Sequence, residues 1–259
     1  MPDQARSVPP HVDIDDPAHW LGSSPLLDLE DPRLRLRERS ITQLCKTDRE
    51  KALAIYAFVK RLPFMRPMKL HLRTAREVLD LGKGASPDKA TLLIALLRLA
   101  GIPCRLRFIK YRGEVMRGLV PLVFANWRPV LEAWLGGRWV ATDTYIFDAV
   151  YMAAARQRLR DLGWDRGFGI DRDGHGIWNG VEGAWSLGLP PGQDPMAMQD
   201  HGCWHDPAAF EASEAFRRSH GQFTRRMHWN LVSPWMARAI RHLREDDSPV
   251  PPSVQRKPS

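Results

Sequence analysis

Apolar side chains recur with a helical period in the first half of this chain. An apolar stripe that includes Leu53 and Tyr56 follows Thr47 and Glu50, which are spaced as a capping box. The pattern predicts a helix that ends before Pro63, because a proline disfavours helical geometry in the residue before it.

The strongest helix signals lie further along the chain. Ser86 is predicted as the N-cap, Pro87 as the first helical residue, and Gly101 as the residue that follows the helix. The stretch between them, residues 90–100 (ATLLIALLRLA), is apolar nearly all round. A helix with this pattern is predicted to be buried in the core rather than to lie on the surface.

Strand-like alternation replaces the helical period after Pro103. Residues 104–111 alternate between apolar and charged side chains, and residues 129–135 and 138–143 flank Gly136-Gly137. Two such glycines between strand-like segments are a hairpin signal. The segregated order of helices and strands predicts an α+β fold in which the buried helix packs on an antiparallel sheet.

The remainder of the chain is less regular. Residues 148–162 are predicted to be helical, and Asp206-Pro207 and Ser233-Pro234 are each predicted to start a helix. Residues 163–205 show no sustained period, and they are predicted to be mostly loop. The C-terminal part is therefore expected to be an extension of helices and loops.

Composition divides the chain into four parts. We expect a disordered segment over residues 1–24, a core domain over 25–162, the extension over 163–245, and a disordered tail over 246–259, since both ends are rich in Pro, Asp and Ser. No run of 18 apolar residues occurs and the first residues contain no apolar segment, so neither a transmembrane helix nor a secretory signal is predicted.

Charge and cysteine content limit the function classes. The formal net charge of +8 permits contact with nucleic acid or an anionic membrane, although a basic solvated surface also explains it. The three cysteines, Cys45, Cys104 and Cys203, form no CxxC pair. We therefore expect free thiols, a reducing cytoplasmic location, and no metal or other cofactor. Cys104 is expected to be a buried thiol.

Two segments carry a family resemblance. Residues 81–106 (LGKGASPDKATLLIALLRLAGIPCRL) resemble the centre of a transglutaminase-like domain, in which Gly-x-Cys-x-x-Lys-Ala leads into an apolar helix that ends at Ala-Gly-Ile-Pro. Residues 131–143 (LEAWLGGRWVATD) resemble the hairpin of the same family, and residues 50–59 resemble its preceding helix. The resemblance covers about residues 25–150 and implies a papain-like fold.

The resemblance also implies a cysteine mechanism. In that mechanism a Cys at the helix N-terminus attacks a carboxamide, a His on the first hairpin strand acts as the base, and an Asp on the second strand orients the His. In this chain Ser86 stands at the Cys position and Arg128 at the His position, whereas Asp143 keeps the Asp position. No histidine lies between His71 and His175 to replace the base.

These substitutions predict a catalytically degenerate domain. A serine hydroxyl needs an adjacent base to act as a nucleophile, and an arginine with a pKa above about 12 cannot accept its proton. We expect Ser86 to cap the helix and Arg128 to form a salt bridge with Asp143. The leading hypothesis is a binding or scaffold module that holds a protein or peptide ligand in the cleft.

An enzyme is the alternative hypothesis. His201, Cys203 and His205 would share one face of an extended segment, where they would form a thiolate–imidazole pair or bind zinc with His175 as a fourth ligand. With this centre or with Ser86, the chain would be an amidase, a peptidase or an acyl-transferase. A polar loop with Asp206 as the next N-cap explains the same residues without chemistry.

The last predicted helix combines basic and apolar positions. Arg238, Arg241, His242 and Arg244 alternate there with apolar residues. Such a helix would dock on anionic lipid or nucleic acid, or would pack on the core with a solvated basic face.

Overall fold

The predicted buried helix lies at the centre of the fold. The structure is a computed structural model that describes residues 15–66, 71–119, 126–219 and 222–245. Helix α4 spans Ser86–Leu99, and most of its side chains are buried. The other helices are α1 (Pro32–Thr42), α2 (Asp48–Arg61), α3 (Ala75–Leu81), α5 (Ala149–Asp161), α6 (Pro207–Ala212), α7 (Glu214–Ser219) and α8 (Gln222–Glu245).

Six strands form two sheets in the described part of the chain. The strands are β1 (Cys104–Tyr111), β2 (Asn126–Leu135), β3 (Arg138–Thr142), β4 (Arg166–Gly167), β5 (Ile170–Asp171) and β6 (Ala197–Trp204). The larger sheet has the order β3-β2-β1-β6 with antiparallel neighbours, and β4 pairs with β5. The predicted α+β fold with an antiparallel sheet is therefore confirmed.

Local signals at the helix ends explain most of the boundaries. Thr47 and Glu50 form the expected capping box of α2. At the C-terminus of α4, Gly101 has a φ of +78°, and the backbone N–H of Ile102 donates to the carbonyl of Leu97 at 2.9 Å. This is a Schellman motif, which satisfies carbonyls that the helix leaves unpaired.

The start of α4 corrects one prediction. The N-cap is Ala85, not Ser86, and Ser86 is the first helical residue. The Asp88 carboxylate accepts a hydrogen bond from the backbone N–H of Ala85 at 3.0 Å and takes over the capping of this end. Pro87 therefore stands one position further into the first turn than expected.

The two faces of the larger sheet differ. Cys104 and Leu106 are fully buried on the face that packs on α4, and the Cys104 thiol donates to the Ile94 carbonyl at 3.6 Å. The opposite face carries Ile109 and Val130, which belong to a second, smaller apolar cluster. Successive residues of a strand point to opposite faces, so the alternation predicted for β1 is confirmed.

The C-terminal part packs into the same core. Strand β6 pairs with β1, and Phe210 of α6 stacks on Phe108 at a ring distance of 4.0 Å. The prediction of mostly loop over residues 163–205 is therefore wrong for β6. Helix α8 begins at Gln222 and continues through Pro234, so the predicted start at Ser233 is also wrong.

The N-terminal segment is ordered where it is described. Residues Pro17–Leu21 form a short 3-10 helix in which Trp20 is 4% exposed, although the sequence predicts disorder through residue 24. Residues 1–14 and the predicted disordered tail over 246–259 lie outside the described residues. None of the described helices is both long enough and apolar enough to cross a bilayer.

Candidate functional site

Ser86 occupies the N-terminus of the central helix. Its side chain is partly exposed, and its hydroxyl forms no hydrogen bond with the described residues. The helix N-terminus favours negative charge, but a serine also needs a base to take its proton. In the part of the chain that the structure describes, no histidine or carboxylate makes a hydrogen bond with Ser86.

Arg128 and Asp143 form a buried ion pair. Arg128 Nη1 donates to Asp143 Oδ2 at 2.7 Å, and each side chain is only 2% exposed. Arg128 also donates to Ser186 Oγ at 2.8 Å and to the Gly169 carbonyl at 2.5 Å. The expected salt bridge is present, and its enclosure leaves the guanidinium out of reach of an anionic ligand.

Sequence reasoning misses the residues that enclose this pair. Ser186 donates twice to Asp143, from its backbone N–H at 2.7 Å and from its hydroxyl at 2.9 Å. Gly169 has a φ of +82°, and a Cβ there would lie 2.6 Å from the Phe147 ring. The glycine-rich composition of this stretch is the signal, because only glycine readily combines positive φ with such close packing.

The sheet register explains the orientation of Arg128. Arg128 lies opposite Ile109 in the β1–β2 pairing and therefore shares the face that turns away from α4. Its guanidinium lies 5.5 Å from the centre of the Tyr111 ring. No hydrogen bond joins Arg128 or Asp143 to Ser86 among the described residues, so the three triad positions do not form a connected site.

The Lys89 side chain anchors the N-terminal turns of α4 to neighbouring backbone carbonyls. Its side chain is fully buried, and Nζ donates to the carbonyls of Lys60, Leu62 and Ile146 at 3.2, 2.9 and 2.9 Å. The first two carbonyls lie at the end of α2, and the third lies in the loop after Asp143. One side chain therefore joins α4 to the end of α2 and to the loop that follows β3.

Lys60 supports the same loop. Its Nζ donates to the carbonyls of Thr144 at 2.7 Å and Phe147 at 2.8 Å. Burial lowers the pKa of Lys60 to about 8, against the opposing effect of nearby Asp148. A neutral amine has two N–H groups, so both hydrogen bonds survive deprotonation. The contacts of Lys60 hold the loop in place and do not reach Ser86.

Glu132 lies opposite Arg105 on the face of the sheet that turns away from α4. It accepts hydrogen bonds from Arg105 Nε and Arg107 Nε, each at 2.6 Å. Burial acts to raise the pKa of Glu132, but the two arginines outweigh it and hold the pKa below its usual value. The Cys203 thiol donates to the same carboxylate at 3.4 Å.

A β-bulge separates the residues of the alternative centre. His201 and Gly202 both lie between the β6 partners of Arg107 and Ile109, where β1 has a single residue. Gly202 has a φ of +72°, the conformation that a bulge with an extra residue favours. The extra residue breaks the alternation of side chains, so the prediction that His201 and Cys203 share a face is wrong.

The two histidines have other contacts. The His201 ring packs edge-on against Trp127 at 4.4 Å, and burial together with Lys110 lowers its pKa. His205 lies beyond β6, where Arg98 Nη1 is 2.9 Å from its ring Nε2.

The candidate zinc ligands are equally dispersed. His175 accepts a hydrogen bond from the backbone N–H of Trp185 at 3.0 Å. The described residues contain no group of three or more His, Cys, Asp or Glu side chains arranged to hold a metal ion. In the described structure, His175, His201 and His205 therefore contact different groups.

The two thiols on the sheet are not activated. Burial raises the pKa of Cys104 to about 11, and burial together with Glu132 raises the pKa of Cys203 to about 12. A thiolate is the reactive form of cysteine. In a Cys45→Ser background, we therefore expect iodoacetamide to alkylate Cys203 at pH 8 more than about a hundredfold more slowly than a free thiol.

A substitution of Glu132 tests whether its charge helps to raise the pKa of Cys203. Glu132→Gln removes a negative charge beside the thiol and is expected to speed alkylation of Cys203, whereas Glu182→Gln, at an exposed site, is expected to leave the rate unchanged. Alkylation of the fully buried Cys104 reports any unfolding. A wild-type Cys203 that titrates near the ordinary thiol value of about 8.5 would contradict the expectation.

A known protein family matches the part of the chain that contains Ser86, Arg128 and Asp143. Residues 36–144 match the model of the Transglutaminase-like superfamily. No curated protein matches the chain at a significant level. A solved structure from Cytophaga hutchinsonii, described as a "putative cysteine protease", is 25% identical with a TM-score of 0.41, covering 54% of this chain and 44% of that one.

A second solved structure is more distant. It comes from Parabacteroides distasonis and is described as a "putative protease", with 18% identity and a TM-score of 0.33 over 48% of this chain and 26% of that one. The chain thus spans less than half the length of either solved protein.

Proposed function

We propose that this chain, whose residues 36–144 form a transglutaminase-like domain, has lost acyl-transfer chemistry and acts as a binding or scaffold module. The ligand class we propose is a protein or peptide held near the N-terminus of α4. The fold retains the buried helix and the hairpin of the family, while the residues that would perform catalysis differ.

The buried Arg128–Asp143 pair carries this proposal. A base in this mechanism must accept a proton from the nucleophile, and a guanidinium remains protonated at every working pH. Arg128 is enclosed by Ser186 and Gly169 and is 2% exposed. The Arg128–Asp143 pair therefore supports a structural role at the base position. In this role it holds the segments that contain Gly169 and Ser186, and it takes no part in proton transfer.

The cysteines support the same conclusion. None of the three stands at the N-terminus of α4, where Ser86 lies. Cys104 is fully buried against α4, and Cys203 lies on the far side of the sheet beside Glu132. A rebuilt thiol centre would need an imidazole near Cys203, and both nearby histidines contact other groups.

Activity measurements test the loss of chemistry. We expect the full chain to neither hydrolyse a fluorogenic casein substrate nor transfer a dansyl amine to glutamine, so that wild type, Ser86→Ala and Cys203→Ser give the same background rate. Ser40→Ala, at an exposed site on α1, is the matched control. A wild-type rate that is lost in either Ser86→Ala or Cys203→Ser, and retained in the control, would establish the hydrolase alternative.

Peptide selection tests the binding role. A displayed library of random dodecapeptides is selected against the full chain, and the affinity of recovered peptides is measured by calorimetry. We expect saturable binding that Ser86→Tyr weakens through steric exclusion and that Ser40→Tyr leaves unchanged. Selection without enrichment, or equal affinity in the two variants, would refute binding at the α4 N-terminus.

The free thiols support a compartment for this role. Cys45, Cys104 and Cys203 are unpaired with one another. We propose a reducing, cytoplasmic location on this basis, since disulfides are rare in that compartment.

A further inference from the structure

Helix α8 has a side that is fixed to the core. Met236 is 2% exposed and Ile240 is fully buried, one helical turn apart. Near the end of the helix, Arg244 Nη2 donates to Asp148 Oδ2 at 2.5 Å and to the Phe64 carbonyl at 3.2 Å. These contacts determine which side of residues 233–245 faces outward.

The outward side combines a large aromatic residue with basic residues. Trp235 is 68% exposed, and Arg238 and His242 follow it at the i+3 and i+7 positions of the same face. Arg241 is exposed as well. Glu245, at the last position of the helix, is the only acidic residue among residues 233–245. The outward face therefore exposes a tryptophan and, after it along the helix, basic side chains.

We propose that this outward face of α8 binds the surface of bilayers that contain anionic lipids. A helix with apolar and basic side chains on its exposed face lies in the membrane interface, where tryptophan is favoured at the headgroup level. The net charge of +8 adds a long-range attraction toward such a surface. An exposed tryptophan one turn from an arginine favours a lipid interface over nucleic acid, whose backbone mainly requires charge.

The contacts of the arginines leave them available for this role. Arg238 donates to the ring of the neighbouring His242 at 3.3 Å, which costs the guanidinium none of its charge. Arg244 differs, because its charge is matched by Asp148. Each basic residue near an anionic surface changes the partition coefficient about fivefold, so Arg238 and Arg241 together account for about 25-fold.

Vesicle sedimentation of the full chain tests the proposal. Vesicles of phosphatidylcholine alone are compared with vesicles that contain three parts in ten of phosphatidylserine, at low salt and at high salt. We expect binding to the anionic vesicles only, with loss at high salt, where charge is screened. We expect Arg238→Gln with Arg241→Gln to lower the partition coefficient about 25-fold, and the addition of Trp235→Ala to lower it further.

A matched double variant separates the face from the net charge. Arg33→Gln with Arg39→Gln removes the same charge from exposed positions of α1 and is expected to change the partition coefficient far less. Equal effects of the two double variants would overturn the proposal. It would also be overturned if the chain bound a short DNA duplex more tightly than the anionic vesicles, with the same dependence on Arg238 and Arg241.

Discussion

Arg128→Met is expected to lower the free energy of unfolding by about 3–5 kcal/mol. The substitution removes the positive partner of Asp143 and leaves a carboxylate that is only 2% exposed without its counter-charge. Breaking a buried pair on one side is costly because the remaining charge keeps its desolvation penalty. Urea denaturation followed by tryptophan fluorescence at pH 7 measures the loss.

Two further variants identify the cause of this loss. Arg138→Met makes the same change at an exposed site on β3, where we expect little effect on stability. Arg128→Met with Asp143→Asn is expected to recover part of the stability, because the uncompensated charge is gone and an amide oxygen still accepts from the Ser186 N–H. Equal stability of wild type and Arg128→Met would show that the Arg128–Asp143 pair does not hold the segments that contain Gly169 and Ser186.

The Arg128 experiment also bears on the proposed function. A large loss of stability would mean that Arg128 is part of the packing of the fold, where it joins β2 to Gly169, between β4 and β5, and to Ser186, after β5. A histidine placed at this position would then remove the contacts that Arg128 makes with Ser186 and Gly169. The Arg128→Met variant thus tests how far the residue at this position contributes to the packing of the C-terminal part.

Local rules were sufficient for the central elements. The apolar stretch of α4, its Gly101 ending and the alternation of β1 each follow from a short-range pattern that the core reinforces. The Gly136-Gly137 turn has φ values of +60° and +77°, as a two-residue hairpin of type I′ requires. Helix α1 also carries such a signal, since Asp31 accepts hydrogen bonds from the N–H groups of Arg33 and Leu34.

The wrong or missing predictions concern features that depend on long-range contacts. Strand β6 is stabilised by its pairing with β1, and its bulge at Gly202 hides the two-residue period that would reveal a strand. The start of α8 was misplaced because Pro234 lies inside the helix, where a proline is normally unfavourable. No short pattern links Ser186 to Arg128, which are 58 residues apart in sequence.

In the candidate site, too, some features follow from a short sequence pattern and others depend on long-range contacts. The positions Ser86, Arg128 and Asp143 follow from the motif, and so does the expectation of an ion pair between the last two. The burial of Arg128 and Asp143 depends on the segments that contain Gly169 and Ser186, whose sequences have no regular period. The sequence therefore indicates which residues stand at the motif positions, whereas the structure shows what those residues contact.

Lys89→Met is expected to lower the free energy of unfolding by about 3 kcal/mol or more. The three carbonyls of Lys60, Leu62 and Ile146 would lose their common donor, and each unsatisfied buried acceptor costs about 1–3 kcal/mol. Methionine fills a similar volume, so a cavity does not explain the loss. Lys51→Met, at a more exposed site on α2, is the matched control.

The charge state of Lys89 decides how the result is interpreted. Burial lowers the pKa of Lys89 well below its usual value, but three carbonyl acceptors require three N–H groups, which only the ammonium form supplies. A lysine held in this way cannot act as a base for Ser86, because proton acceptance needs the neutral amine. If Lys89→Met instead left stability unchanged, the carbonyls would have other partners and this argument against a Ser86–Lys89 pair would fail.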